Sequence, residues 1–239
     1  MFVNKQSTFF MSGHSKWANI KRKKGVNDAQ RSAVFTKMSR IISTAVHEGG
    51  GIGDPDKNFK LRLAIERAKA VNMPKDTIQR AIDKAIGGDG SQMKELLYEA
   101  FGPHGVAVLV LATTDNPNRT YAEVKLALEK NGGKMASPNS VAYQFTKCGI
   151  LELKKSETSE EQAYALVDEL GAFDLEEDDE TYVLYIPFEK MGKVQGNIDV
   201  YYRPSTTVSL TEPEEAKVNE YIEKLEDLDD VMNVYTNQA

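Results

Sequence analysis

Five cations stand within the nine residues from Lys16 to Lys24 and surround the chain's single tryptophan: Lys16, Trp17, Lys21, Arg22, Lys23 and Lys24. Ammonium and guanidinium heads release counterions when they meet phosphates, and an indole face stacks on an unpaired base. This combination points to nucleic acid. A lone tryptophan serves equally as the anchor of a small core, and for Trp17 that role competes with base contact. Arg31, Lys37, Arg40, Lys60 and Arg67 extend the positive charge along the following segments, with Arg62, Lys69 and Arg80 adding to it. Clustered cations over one module form an electrostatic footprint, which carries no sequence specificity of its own.

A second surface is suggested by the polar stretch Thr113–Thr120. Asp115, Asn116, Asn118 and Arg119 link an apolar run to a helical pattern. Asn118 or Thr120 can cap that helix, and the same side chains can form a contact surface at the strand's carboxyl end.

Other constellations carry less. The run Gly49–Gly53 before Asp54 lacks the Gly-Lys-Ser/Thr ending of a phosphate loop, and Asp54 and Asp56 would repel a phosphate there. His14, His47 and His104 lie in three separate segments without metal-ligand spacing. No spacing suggests a nucleophile with a base and an orienting acid. Glu176–Glu180 superficially resembles a magnesium-binding nuclease patch, but five adjacent acids at a turn read as a solvated loop. The expectation is no catalytic residue, no metal, no cofactor and no small-molecule substrate.

The formal net charge of −6 averages two unlike parts. Residues 1–90 hold 17 Lys and Arg against 8 Asp and Glu, whereas residues 91–239 hold 13 against 28. The halves therefore carry +9 and −15, the pattern of an anion-binding module joined to acidic domains. The single cysteine, Cys148, excludes an internal disulfide and suits a reducing, cytoplasmic setting. No apolar run approaches the roughly 20 residues of a membrane-spanning helix, so no membrane partner is expected.

Periodicity supplies the elements that hold these residues. Helical spacing runs from Asn27 or Asp28 to His47, with Val34, Met38, Ile41 and Ala45 inward and Arg31, Lys37, Arg40 and Thr44 on the other face. Asp54-Pro55 reads as the start of a second helix and Met73-Pro74 as the start of a third. From Leu96 the period shortens. Strands are expected at 96–101, 106–114, 141–145, 149–153, 181–186, 199–203, 206–210 and 231–235. Helices are expected at 120–131, 160–170 and 214–228, with a short helical piece near 189–194. The fold class is α+β and multidomain, with a ferredoxin-like part expected among the later strands and helices.

Ser12–Lys24 (SGHSKWANIKRKK), Phe35-Thr36-Lys37 and Asn72–Asp76 resemble the YebC family. So do Tyr98–Pro103, Thr114-Asp115-Asn116 with Asn118-Arg119-Thr120, and Asp230–Tyr235. The resemblance covers nearly the whole chain from Ser12. It implies an N-terminal three-helix bundle over 12–90; residues 1–11, which lack a secretory apolar core and a cleavage site, read as a disordered extension in which Met11 is an alternative start. An α+β domain over 91–146 and 205–239 would follow, with a ferredoxin-like domain, 147–204, inserted into it. It also implies a probable DNA-binding transcriptional regulator acting on promoter DNA. Other relatives act as ribosome-associated translation factors that relieve stalling at proline-rich stretches, with ribosomal RNA as partner. Where many relatives carry basic side chains, this chain has Gln30, Ser32 and Ala33, so that face of the first helix is less cationic.

Overall fold

The structure, a computed structural model, describes residues 28–87, 93–194 and 198–239. Among the described residues three helices come first: α1 (Asp28–Glu48), α2 (Phe59–Ala70) and α3 (Lys75–Ile86). Ile42, Ala45 and Val46 of α1 close on Leu61, Ala64 and Ala68 of α2 and on Ile78, Ala81, Ile82 and Ala85 of α3. Residues three and four apart make these stripes, as a helix requires.

The second helix begins later than Asp54-Pro55 suggests. Asp54 accepts the N–H groups of Lys57 and Asn58 in a separate turn. Buried Asn58 is the true cap: its side chain accepts from Leu61 N and donates to the carbonyls of Ala45 and Ile52. Those two donations tie the Gly49–Gly53 connection to the helix that follows. The run is thus anchored at both ends.

Among the described residues eight strands form two four-stranded sheets. The first has the order β3-β1-β2-β8, from β1 (Lys94–Phe101), β2 (Ala107–Thr114), β3 (Lys134–Met135) and β8 (Val231–Thr236). The second has the order β5-β6-β4-β7, from β4 (Phe145–Lys154), β5 (Asp174–Glu177), β6 (Thr181–Pro187) and β7 (Ile198–Pro204). All its pairings are antiparallel. Helix α5 (Glu160–Leu170) lies between β4 and β5, and a 3-10 segment, Phe188–Lys193, stands between β6 and β7. This is the split β-α-β-β-α-β arrangement with its second helix shortened.

The layers follow from side-chain alternation along each strand. Val108 and Val110 face α4 (Pro117–Lys130) and α6 (Glu212–Glu226), which hold Val124, Leu128, Val218, Tyr221 and Leu225. The alternate residues Ala107, Leu109 and Leu111 meet Cys148, Ile150, Val183, Tyr185 and Tyr201 of the second sheet. The far face of that sheet is covered by α5 and also by Leu63, with Phe59 beside it, from α2. Every residue of β2 is consequently buried, which is why Val106–Ala112 reads as one continuous apolar run.

Three expected strands and one expected cap come out differently. Residues 141–145 and 149–153 are not two strands: a 3-10 turn at Ala142–Gln144 leads into the single strand β4. Residues 206–210 make only an isolated bridge, Val208 to Gln238. The cap of α4 is Asn116, whose side chain accepts from Arg119 N, and neither Asn118 nor Thr120.

One buried carboxylate fixes the approach to β4. Glu99, on β1, accepts the backbone N–H groups of Asn139, Val141 and Ala142. Burial alone would raise its pKa, but these donors outweigh it and hold the carboxyl below its ordinary 4.5. Glu99→Ala strands the donors, and urea unfolding is expected to show a loss of about 3 kcal/mol. A loss within a few tenths would mean that water replaces the carboxylate without cost.

Candidate nucleic-acid interface

The cluster Lys16, Trp17, Lys21, Arg22, Lys23 and Lys24 lies outside the described residues, as does the 1–11 extension. Arg31 falls in the first turn of α1. The remaining predicted cations are spread over different surroundings.

Lys60 bonds Glu48 at 2.5 Å, which neutralises it within the helical module. Arg67 leaves the module and pairs with Asp199 on β7. Lys37 donates to the carbonyl of Glu226 at the end of α6. Arg40 pairs with Asp230 and donates to the carbonyl of Asp229 at 2.7 Å. The face of α1 that carries Lys37, Arg40 and Thr44 is therefore an interior face turned towards the first sheet, and Thr44 is only 4% exposed. Alternation of polar and apolar residues cannot separate water from a polar neighbouring domain.

Asp230 is the centre of this junction. Its side chain is 3% exposed and receives Arg40, Arg119 at 2.9 Å and the Thr120 hydroxyl at 2.6 Å. Burial would raise its pKa. Hydrogen bonds from Thr120, Arg119 and Thr114, with the charge of Arg40, outweigh that and keep it below the ordinary 3.8. Arg119 also reaches Asp115 at 3.1 Å. Asn116 is engaged as the helix cap, and Asn118 is exposed on the first turn of α4.

These contacts bring the two predicted surfaces together. Arg40 of the first and Asp115 and Arg119 of the second line one open cleft of about 510 Å³ between α1, α3 and the β2–α4 loop. Thr36, Ser39, Ser43 and His47 line the α1 wall at successive helical turns, and Thr77, Arg80, Ala81, Lys84 and Ala85 line the α3 wall. Arg80 donates to the Asp76 carbonyl and the Thr77 hydroxyl. Among the described residues neither Arg80 nor Lys84 has a carboxylate partner. Cations and hydroxyls facing one another across a cleft can take a phosphate or another oxyanion.

Charge clustering and motif spacing mark neither Lys84 nor His47 as a site residue, nor the Ser and Thr stripe. The signal was present at positions 36, 39, 43 and 47, which share one side of a helix. Asp230 had no local signal, because its partners lie 110 and 190 residues away.

The acidic run Glu176–Glu180 is more structured than a solvated loop. Glu176 accepts from Arg203 and the Tyr185 hydroxyl, Glu177 pairs with Lys155, and Asp178 accepts from Thr181.

Comparison with known proteins gives this arrangement a lineage. Residues 15–88 match the TACO1/YebC protein N-terminal domain, and residues 93–238 match the TACO1/YebC second and third domain. The chain belongs to the TACO1/YebC family. A relative from Chloroflexus aurantiacus is 43% identical over 242 residues, covering 95% of each chain, and is named a probable transcriptional regulatory protein. One from Thermosipho melanesiensis, with the same name, is 44% identical over 95% of this chain and 93% of its own. A crystal structure of a conserved hypothetical protein from Aquifex aeolicus superposes with a TM-score of 0.82 at 39% identity, over 94% of this chain and 97% of that one. This TACO1/YebC chain thus shares its fold with the Aquifex protein and matches all three over nearly their whole length. Among its described residues no helix is long and apolar enough to cross a membrane.

Proposed function

We infer that this TACO1/YebC protein regulates gene expression by binding nucleic acid through its basic N-terminal module. The observation that carries the reading is the convergence of Arg40, Arg80, Lys84 and Arg119 on one cleft at the edge of the basic N-terminal part, whose residues 1–90 carry a net charge of +9. Transcription is the first setting, with promoter DNA as the target, because relatives across the family carry that name. The lysines and arginines of residues 16–24 would supply most of the phosphate contacts, and the cleft would supply a further point of attachment for an unpaired stretch. The protein would work in the cytoplasm without a cofactor and without turning over a substrate.

A second reading, binding to ribosomal RNA on the ribosome, is favoured by the −15 charge of residues 91–239. Those surfaces are repelled by an extended duplex but can face basic proteins.

Titration of the full chain against promoter-length duplex DNA and against ribosomal RNA fragments over a range of salt tests both readings. The logarithm of affinity should fall linearly with the logarithm of salt, as expected when cations displace phosphate counterions. Binding that is absent, or indifferent to salt, would contradict the assignment.

A further inference from the structure

We propose that the cleft between α1, α3 and the β2–α4 loop receives an unpaired nucleic-acid strand, and that Arg80 and Lys84 hold its phosphates. The assignment rests on the nucleic-acid reading above and narrows it to a class of strand at a defined place.

The distribution of carbon and charge carries it. Ala81 and Ala85 are 8% and 5% exposed, whereas Arg80 and Lys84 on the same helix are exposed. The lining that the cleft as a whole leaves accessible is mostly apolar, and Arg80 and Lys84 add charge to it. A duplex keeps its base faces stacked inside and presents phosphates and groove edges, so it has no flat apolar face to place on such a lining. An unpaired nucleotide carries both a flat apolar ring and an anionic phosphate. The volume agrees. About 510 Å³ is the size of a small-molecule site, enough for about one or two nucleotides and too small for a turn of duplex.

The state of the four cations assigns their roles. Arg40 and Arg119 are engaged by Asp230, which leaves only part of each guanidinium free to face the cleft. Arg80 and Lys84 have no carboxylate partner among the described residues, and they sit one helical turn apart on α3. Arg80 is steered by the Thr77 hydroxyl at 3.0 Å. Asp115 on the opposite wall disfavours a rigid polyanion that cannot avoid it. A short flexible strand can instead keep its phosphates on the α3 side. The β2–α4 wall is present only while the helical module is docked on the first sheet, so the docked arrangement is the binding one.

Ring and phosphate together are also the chemistry of a free mononucleotide, so the experiment includes AMP. Fluorescence anisotropy of the full chain would be measured with a short labelled single strand and with the duplex formed from it. Both would be repeated with Arg80→Glu/Lys84→Glu, and AMP would be added as competitor. Both side chains are exposed, and an unchanged melting temperature would confirm that the variant folds. The variant should weaken single-strand binding by about thirtyfold and duplex binding by less than about threefold, since two phosphate contacts are lost from the cleft alone. AMP should compete only weakly.

Equal losses for strand and duplex, or no loss for the strand, would overturn the cleft assignment while leaving the protein a nucleic-acid binder. Failure of the unmodified chain to bind strand or duplex would overturn that broader reading together with this one. Displacement by AMP at concentrations where the strand itself binds no more tightly would make the cleft a nucleotide site instead.

Discussion

Asp230→Ala is expected to lower the stability of the whole chain by about 3 kcal/mol in urea unfolding, the low end of the cost of breaking a buried ion pair. The carboxylate is 3% exposed, while its partners Arg40 and Arg119 are 24% and 43% exposed. Solvent therefore screens the stranded arginines in part, Arg119 most of all, which keeps the cost from rising further. The substitution also strands the Thr120 hydroxyl, which is buried with its residue at 0% exposure. Asp230→Asn keeps an acceptor for Thr120 but removes the charge, and should cost less.

The same group sets an acid limit. A folded-state pKa held below 3.8 stabilises the protein above the unfolded value, and that contribution disappears as pH falls through the folded one. Glu99, held below 4.5, acts in the same direction. Stability should therefore decline below about pH 4 in the unmodified chain, and the decline should be shallower in Asp230→Asn. An acid limb of equal steepness in both would remove Asp230 from the account.

Lys21→Glu/Arg22→Glu/Lys23→Glu is expected to lower affinity for nucleic acid by about a thousandfold near physiological salt and to reduce the salt slope by about 3, since each phosphate contact contributes close to one unit. The melting temperature should not move. Three favourable contacts become three repulsive ones, so few changes of this size have a larger expected effect on binding. Normal binding by this variant would place the footprint elsewhere, and the α3 cations Arg80 and Lys84 would be the next surface to reverse.

The parts of the fold that announced themselves were those with local chemistry. Helix α5 has a capping box at Ser159 and Gln162 and a left-handed Gly171 at its end, and its limits, Glu160–Leu170, were readable to the residue. Strand β2 was legible because both of its faces are buried. What was not legible depends on distant partners. Gly149 reads as the start of a strand, yet it lies inside β4, where a Cβ would come within 2.6 Å of Met191 and 2.8 Å of Ile186. The glycine is required by close packing and has nothing to do with a turn. Residues 206–210 alternate like a strand, but only Val208 finds a backbone partner there. The site divided in the same way. Charge density marked the basic module, whereas the roles of Arg40 and Arg67 as struts between domains were set by Asp230 and Asp199, far along the chain.

Ultraviolet crosslinking of the tagged protein in living cells tests the central claim most directly. The attached nucleic acid would be sequenced and the crosslinked peptides identified by mass spectrometry. The account predicts covalently attached nucleic acid on peptides spanning residues 16–24 and the α1 and α3 walls of the cleft. Promoter fragments would place the protein in transcription, and discrete ribosomal RNA positions would place it on the ribosome. Attachment no greater than in unirradiated cells, or crosslinks confined to the acidic α5 and α6 surfaces, would contradict it.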